Sequence, residues 1–204
     1  MDFNKIQKIV DETKDVSLVV ASKYIDYRGI KELYDFGLRN FGENRVEAFL
    51  IKENLLRNLD IKWHFIGHLQ TNKAIKIINK IDVLHSLDSI KLAGIIERHR
   101  ENKLDTFIEV HMTDSDTKNG IRPEDLGNFL EDLKKYPKVN VIGLMTMTEK
   151  DMSDEEKLFV FKKLKSLGEK YNLKNFSMGM SEDYKLAIEA GATHIRLGRI
   201  LWNL

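Results

Sequence analysis

The sequence predicts an α/β fold, a single (β/α)8 TIM barrel over residues 1–204, and three observations predict it. Short apolar runs rich in β-branched residues alternate with stretches of helical spacing along the whole chain, the pattern of a parallel sheet wrapped in helices. Eight such runs occur, the number that closes a barrel, and the length sits at the small end for that fold, roughly 200 residues and up. No Gly-x-Gly-x-x-Gly follows the first run, where the alternative, a doubly wound dinucleotide-binding sheet, would carry it.

Phe3, Ile6, Ile9 and Val10 fall at helical spacing across residues 3–14. Val16 to Lys23 is expected to be a buried strand, because its apolar residues are consecutive and leave no wet face. Ile30, Leu33 and Tyr34 mark a helix from Tyr27 to Leu38, with Gly37 as its C-cap. Asn40 to Asn44 is a very short second strand, and Val46 to Leu59 an amphipathic helix. Lys62 to Gly67 makes strand three, followed by a helix holding Ala74, Ile75, Ile77 and Ile78. Asp82 to Ser86 is strand four, a helix covers Ser89–Asn102, and Asp105 to Met112 is strand five. The polar loop Thr113–Gly120 separates that strand from a helix opened by Pro123 at an N1-like position. Lys138 to Met147, a long helix from Asp154 to Tyr171, and Asn175 to Met180 come next. A short helix then begins near Ser181 and ends at Gly191, and Thr193 to Gly198 is the eighth strand.

Lys+Arg number 33 and Asp+Glu 32, so the near-zero balance argues against nucleic acid or an anionic membrane as the main partner. No apolar run approaches membrane-spanning length, and the charged amphipathic start is no signal peptide, so a cytoplasmic location is the default. The absence of cysteine excludes disulfides, thiolate metal sites and a cysteine nucleophile.

In a barrel the chemistry sits at the C-terminal ends of the strands. Those ends carry Lys23, Asn44, His64 to His68, His85-Ser86, His111, Met145-Thr146, Ser177 to Ser181 and Arg196 to Arg199. Lys23 would stand at the rim of a dry core, where desolvation lowers an amine's pKa and favours chemistry on carbonyls. By itself a strand-terminal lysine more simply snorkels to water. The loops after strands seven and eight are the usual phosphate site of this fold, and Gly179 and Gly198 would let backbone approach an oxyanion. A phosphate there and an amine on strand one point to a phosphorylated aldehyde, pyridoxal phosphate before others. His64 and His68 lack the glutamate of a His-Glu-x-x-His metal site and are more simply oriented or packed. A solvated loop is the better account of His111 with Asp114 and Asp116, and core filling of Met145, Met147, Met178 and Met180. No metal site is expected.

Seven strings carry a resemblance: Leu18-Val-Val-Ala-Ser-Lys23, Phe41-Gly-Glu-Asn44, Trp63-His-Phe-Ile-Gly-His-Leu-Gln-Thr-Asn-Lys73, His85-Ser-Leu-Asp-Ser89, Gly143-Leu-Met-Thr-Met147, Ser177-Met-Gly-Met-Ser181 and Glu189-Ala-Gly-Ala-Thr-His-Ile-Arg-Leu-Gly198. In this order they resemble the pyridoxal phosphate homeostasis proteins (the YggS or PROSC family), relatives of the alanine racemase N-terminal barrel of PLP fold type III. The resemblance implies a barrel binding pyridoxal 5′-phosphate as a Schiff base on Lys23, with Asn44 beside the ring and Met145 lining the pocket. It implies that Ser177 and the backbone of Gly198 and Arg199 hold the phosphate, and that Arg196 faces the pyridine nitrogen. Family members usually carry a small Thr or Ser where this chain has Arg199.

An arginine at the pyridine nitrogen disfavours ring protonation and makes the cofactor a poorer electron sink. Racemisation needs in addition a second acid/base on the opposite face, which alanine racemases take from a second domain that this sequence lacks. The expectation is therefore a carrier and regulator of cellular vitamin B6, monomeric, with apo-enzymes as recipients and without strong catalysis. Its competitors are a racemase or related enzyme using His85 or Tyr24 as base, and an aldolase-like barrel acting on a sugar phosphate.

Overall fold

The computed structural model describes residues 1–113 and 119–202 of the chain. Eight parallel strands close a barrel in sequence order: β1 (Ser17–Ala21), β2 (Asn40–Glu43), β3 (Lys62–Phe65), β4 (Val83–Leu87), β5 (Leu104–Glu109), β6 (Val139–Met145), β7 (Asn175–Ser177) and β8 (His194–Leu197). Closure is made by β8 pairing back onto β1, with Ser17 opposite His194 and Val20 opposite Leu197. The helices are α1 (Phe3–Glu12), α2 (Tyr27–Phe36), α3 (Val46–Leu55), α4 (Thr71–Ala74), α5 (Ile90–His99), α6 (Leu126–Leu133), α7 (Asp154–Lys170), α8 (Tyr184–Glu189) and α9 (Arg199–Trp202). Among the described residues no helix is long and apolar enough to cross a membrane.

Local chemistry explains the boundaries. Asp2 and Asp26 accept backbone N–H bonds at the starts of α1 and α2, and Ser153 with Glu156 forms a reciprocal capping box on α7. Gly37, at φ +119°, ends α2 in the left-handed conformation that favours glycine, as predicted. Pro123 opens a 3-10 turn, and α6 follows it at Leu126. The short helix expected near Ser181 begins three residues later, at Tyr184.

The main departure from expectation is systematic. All strands except β4 stop one to three residues before their predicted C-terminal ends. Buried residues continue past the strand ends, with Val110 1%, Thr146 1% and Met178 0% exposed, and each still donates its N–H to the neighbouring strand, to the Met145, Ser177 and His194 carbonyls. Composition marks burial and not the full two-sided ladder, so these residues read as strand. Lys23 accordingly lies in a 3-10 turn (Ser22–Tyr24) after β1 and not in the strand.

Alternation sorts the strand side chains. Leu18, Val20, Phe41, Phe65, Leu84, Ile108, Leu144, Phe176 and Ile195 point outward and join the helices in one large apolar layer. Inside the barrel only Val83, Phe107 and Met145 form an apolar cluster. The other inward positions include His64, His85, Glu109, Ser177 and Arg196, all buried. Barrels of this type usually fill that space with branched aliphatics. A polar interior is costly unless its groups are paired, and the pairing identifies the site.

Candidate functional site

A cavity of about 210 Å³ opens at the barrel mouth between the ends of β1, β7 and β8. Lys23, Tyr24, Ser181, Arg196, Gly198 and Arg199 are among its lining residues. The Lys23 side chain is exposed, with Nζ 4.9 Å from the centre of the Tyr24 ring, so the dry rim expected for it is absent. Opposite, the Gly198 and Ile200 backbone N–H groups at the start of α9 both point to the Ser181 hydroxyl, at 3.3 and 3.5 Å. Two backbone donors and a hydroxyl at one corner form an anion-binding arrangement. Arg199 lines the same corner, and its guanidinium pairs with Glu182 at 2.6 Å on the exposed rim.

Arg196 closes the cavity from below. Its Nη1 donates to the Ser177 carbonyl (2.9 Å) and hydroxyl (2.7 Å), and Nη2 donates to the Thr146 carbonyl (3.2 Å). Burial pushes its pKa down to about 10, offset by Asp183 and Glu109, so it stays charged at neutral pH. From Ser177 a chain of bonds runs down the barrel: to His85 Nδ1 at 2.7 Å, from His85 Nε2 to His64 Nδ1 at 2.9 Å, and from His64 Nε2 to Asn40 Oδ1 at 3.1 Å. Because the Asn40 Oδ1 only accepts and each neutral imidazole carries one N–H, the direction of every bond follows. Ser177 accepts from Arg196 and donates to His85, which donates through Nε2 to His64, which donates through Nε2 to Asn40. Both rings are neutral: burial drives His64 down to about 3 and His85 well below its usual range. Nitrogen-15 spectra at neutral pH should show both histidines as Nε2–H tautomers; an Nδ1–H on either would contradict this chain.

A second buried network holds the β1–β2 edge. Lys52 of α3 turns inward to pair with Glu43 and donates to the Ser22 carbonyl at 2.9 Å, while the Ser22 hydroxyl donates to the Gly42 carbonyl at 3.0 Å. The Glu43 Oε2 accepts the Asn44 N–H at 3.0 Å, which fixes Asn44 at the mouth. The Asn44 side-chain Oδ1 is itself buried and has no partner. A buried acceptor without a donor is costly and marks a place that a ligand can complete.

Of the residues expected at the site, Lys23, Arg196, Gly198 and Arg199 meet on one cavity. Ser177 and Met145 lie deeper, Ser177 bonded to Arg196 and His85, Met145 packed on Val83 and Phe107. Neither is among the cavity residues, and Asn44 is not among them either; the hydroxyl that reaches the anion corner is Ser181. Gly179 serves packing instead of an oxyanion: at φ +92° it lets Ala187 of α8 approach, where a Cβ would come within 2.5 Å. His68 is exposed and pairs with Asp88 at 3.1 Å, apart from the internal His64. Asp114 and Asp116 fall outside the described residues, and no metal-binding group of three is found among the described ones. Ser181 is named in the sequence only as the end of the loop Ser177 to Ser181, and Glu109, which ends β5, is not singled out there.

An amine, a backbone anion corner, a fixed guanidinium and an orphaned acceptor suit a group with an aldehyde, a phosphate and a ring nitrogen. Comparison with known proteins places the chain in a family. Residues 5–204 match the alanine racemase N-terminal domain family. The pyridoxal phosphate homeostasis protein of Aquifex aeolicus is 41% identical over 195 residues, covering 91% of this chain and 86% of that one. Its counterpart in Synechocystis is 36% identical, covering 92% and 91%. The structure of PipY from Synechococcus elongatus with PLP bound superposes with a TM-score of 0.92 at 31% identity, covering 98% of this chain and 99% of that one. An alanine racemase of Clostridium difficile, 17% identical with a TM-score of 0.77, shares the fold over 55% of its own length. Fold and match thus define a barrel of the alanine racemase N-terminal class. Within that class the chain belongs to the pyridoxal phosphate homeostasis protein family.

Proposed function

We propose that this protein binds pyridoxal 5′-phosphate at the barrel mouth through Lys23 and acts as a carrier and regulator of the cofactor, not as a strong catalyst. The convergence of Lys23, Arg196 and the Ser181–Gly198 corner on one cavity supports this role above any other observation. When bound, the cofactor supplies an aldehyde that an amine can hold and a ring that withdraws electrons. Lys23 offers the amine, and the Gly198 and Ile200 N–H groups with Ser181 hold the phosphate. Arg196 faces the ring nitrogen, and Asn44 lies beside the ring with its free acceptor. The Arg199 guanidinium adds positive charge at the phosphate corner in place of a hydroxyl.

The fixed charge of Arg196 weakens catalysis, because a guanidinium held by Ser177 and Thr146 opposes a proton on the ring nitrogen. His85 is not positioned as a base: it is fully buried, and both its ring nitrogens are bonded. Tyr24 lines the cavity and is the remaining basis for an enzymatic reading. In deuterated water, purified protein with pyridoxal phosphate should exchange the α-proton of L- or D-alanine no faster than the free cofactor. Sustained exchange that Tyr24→Phe abolishes would establish an enzyme instead. Cytoplasmic residence, a monomeric state and delivery to apo-enzymes belong to the same proposal.

A further inference from the structure

Alternation along β5 aims Phe107 and Glu109 into the barrel. Glu109 is 6% exposed, and its carboxylate has no hydrogen-bond or ion-pair partner among the described residues. It lines a cavity of about 230 Å³, ample room for water or a small ligand. Val110, Met112, Met147 and Met180 supply apolar walls, and Thr148, Glu149 and Met180 also border the Lys23 cavity. A buried carboxylate demands a cation or a donor, and flexible methionine walls suit a chain of methylenes. A carboxylate or phosphate ligand would be repelled.

We propose that this cavity binds a primary alkylammonium group, with Glu109 as its counter-ion and the methionines around its methylenes. The site deepens the carrier role proposed above and rests on it for its purpose: an amine held here lies beside the one that holds the cofactor. In an exchange, one C–N bond forms at the aldehyde carbon as the bond to Lys23 breaks. The acceptor arrives as an ammonium and Lys23 leaves as one, so the proton passes from one amine to the other and atoms and electrons balance. Burial, and then the charge of Asp88, pushes the Glu109 carboxyl up to about 7, against Arg196 and His68, so it is a stronger base than a surface carboxylate. His111 and Glu149 are the other titratable groups on the cavity wall.

The test is a titration followed by methyl NMR, using butylammonium chloride and its neutral counterpart 1-butanol on cofactor-free protein and on Glu109→Gln. Butylammonium should shift the Met112, Met147 and Met180 methyls saturably, bind at least tenfold tighter than 1-butanol, and bind tighter at pH 8 than at pH 6. Glu109→Gln should weaken it at least tenfold while leaving cofactor uptake on Lys23 unchanged. Should that variant not fold, the butanol comparison and the methyl map in the unaltered protein decide. Nα-acetyl-lysine N-methylamide binding as tightly as butylammonium would assign the site to a lysine of a partner protein, and much weaker binding to free amines. Equal affinity for 1-butanol, shifts away from the three methionines, or indifference to Glu109→Gln would overturn the site. Butylammonium binding without cofactor uptake on Lys23 would refute the carrier role and leave the site standing.

Discussion

Lowering the pH from 7 to 5 is expected to cost this protein roughly 3–4 kcal/mol of folding stability. The origin is the polar barrel interior. Burial holds His64 down to about 3, His194 down to about 4 and His85 well below its usual range. Below the ordinary histidine pKa of 6.5 the unfolded chain takes up three protons that the folded chain refuses. Stability is therefore present above that value and lost as pH falls, by about 2 kcal/mol for each histidine at pH 5. Glu109 acts in the opposite sense. Its folded pKa, about 7, lies above the unfolded one, so it adds stability as pH falls and returns roughly 2 kcal/mol. Three histidines outweigh one glutamate. Urea unfolding at pH 7, 6 and 5 reads the balance; stability that stays level or rises over that range would show that the histidines are not held neutral.

Lys52→Met should be the most damaging single change outside the apolar layer, costing about 3–5 kcal/mol and lowering Tm by roughly 6–20 °C. Without the ammonium the Glu43 side chain, 0% exposed, keeps only the Asn44 N–H and a long 3.4 Å contact with the Ser22 hydroxyl, which Gly42 shares. A buried carboxylate stripped of its cation costs far more than the pair itself contributes. Adding Glu43→Gln should recover part of the loss, since it removes the stranded charge. A thermal melt of Lys52→Met within about 2 °C of the unaltered protein would mean that Glu43 finds water or another cation. The same change should loosen Asn44 and weaken cofactor binding.

These residues show what a sequence carries and what it hides. Eight strands, their order and the cluster around Lys23, Arg196 and Gly198 were legible, because alternation of apolar runs and helical spacing encodes a parallel barrel directly. The ends of the strands were not legible: Val110, Thr146 and Met178 are as buried as ladder residues and still bond the neighbouring strand, although they lie beyond the strand ends. Ser177 lies below the mouth, where its hydroxyl bonds His85 and Arg196, while the Ser181 hydroxyl meets the Gly198 and Ile200 N–H groups. Lys52 sits on a helix whose exposed face carries Ile51 and Leu55, so its inward turn inverts the usual pattern and only the buried Glu43 explains it. Glu109 stands in an apolar stretch as one charge among 32 acidic residues, and nothing local separates it from a surface carboxylate. The His64–His85–Ser177–Arg196 chain spans four strands and exists only after closure.

The most direct test of the central claim is to load the purified protein with pyridoxal phosphate, reduce it with borohydride and map the modified residue by mass spectrometry. The cofactor should be found on Lys23, in about one equivalent, and Lys23→Ala should bind none covalently while keeping its fold. A label confined to another lysine, or no label on a protein that is folded and saturated, would contradict it.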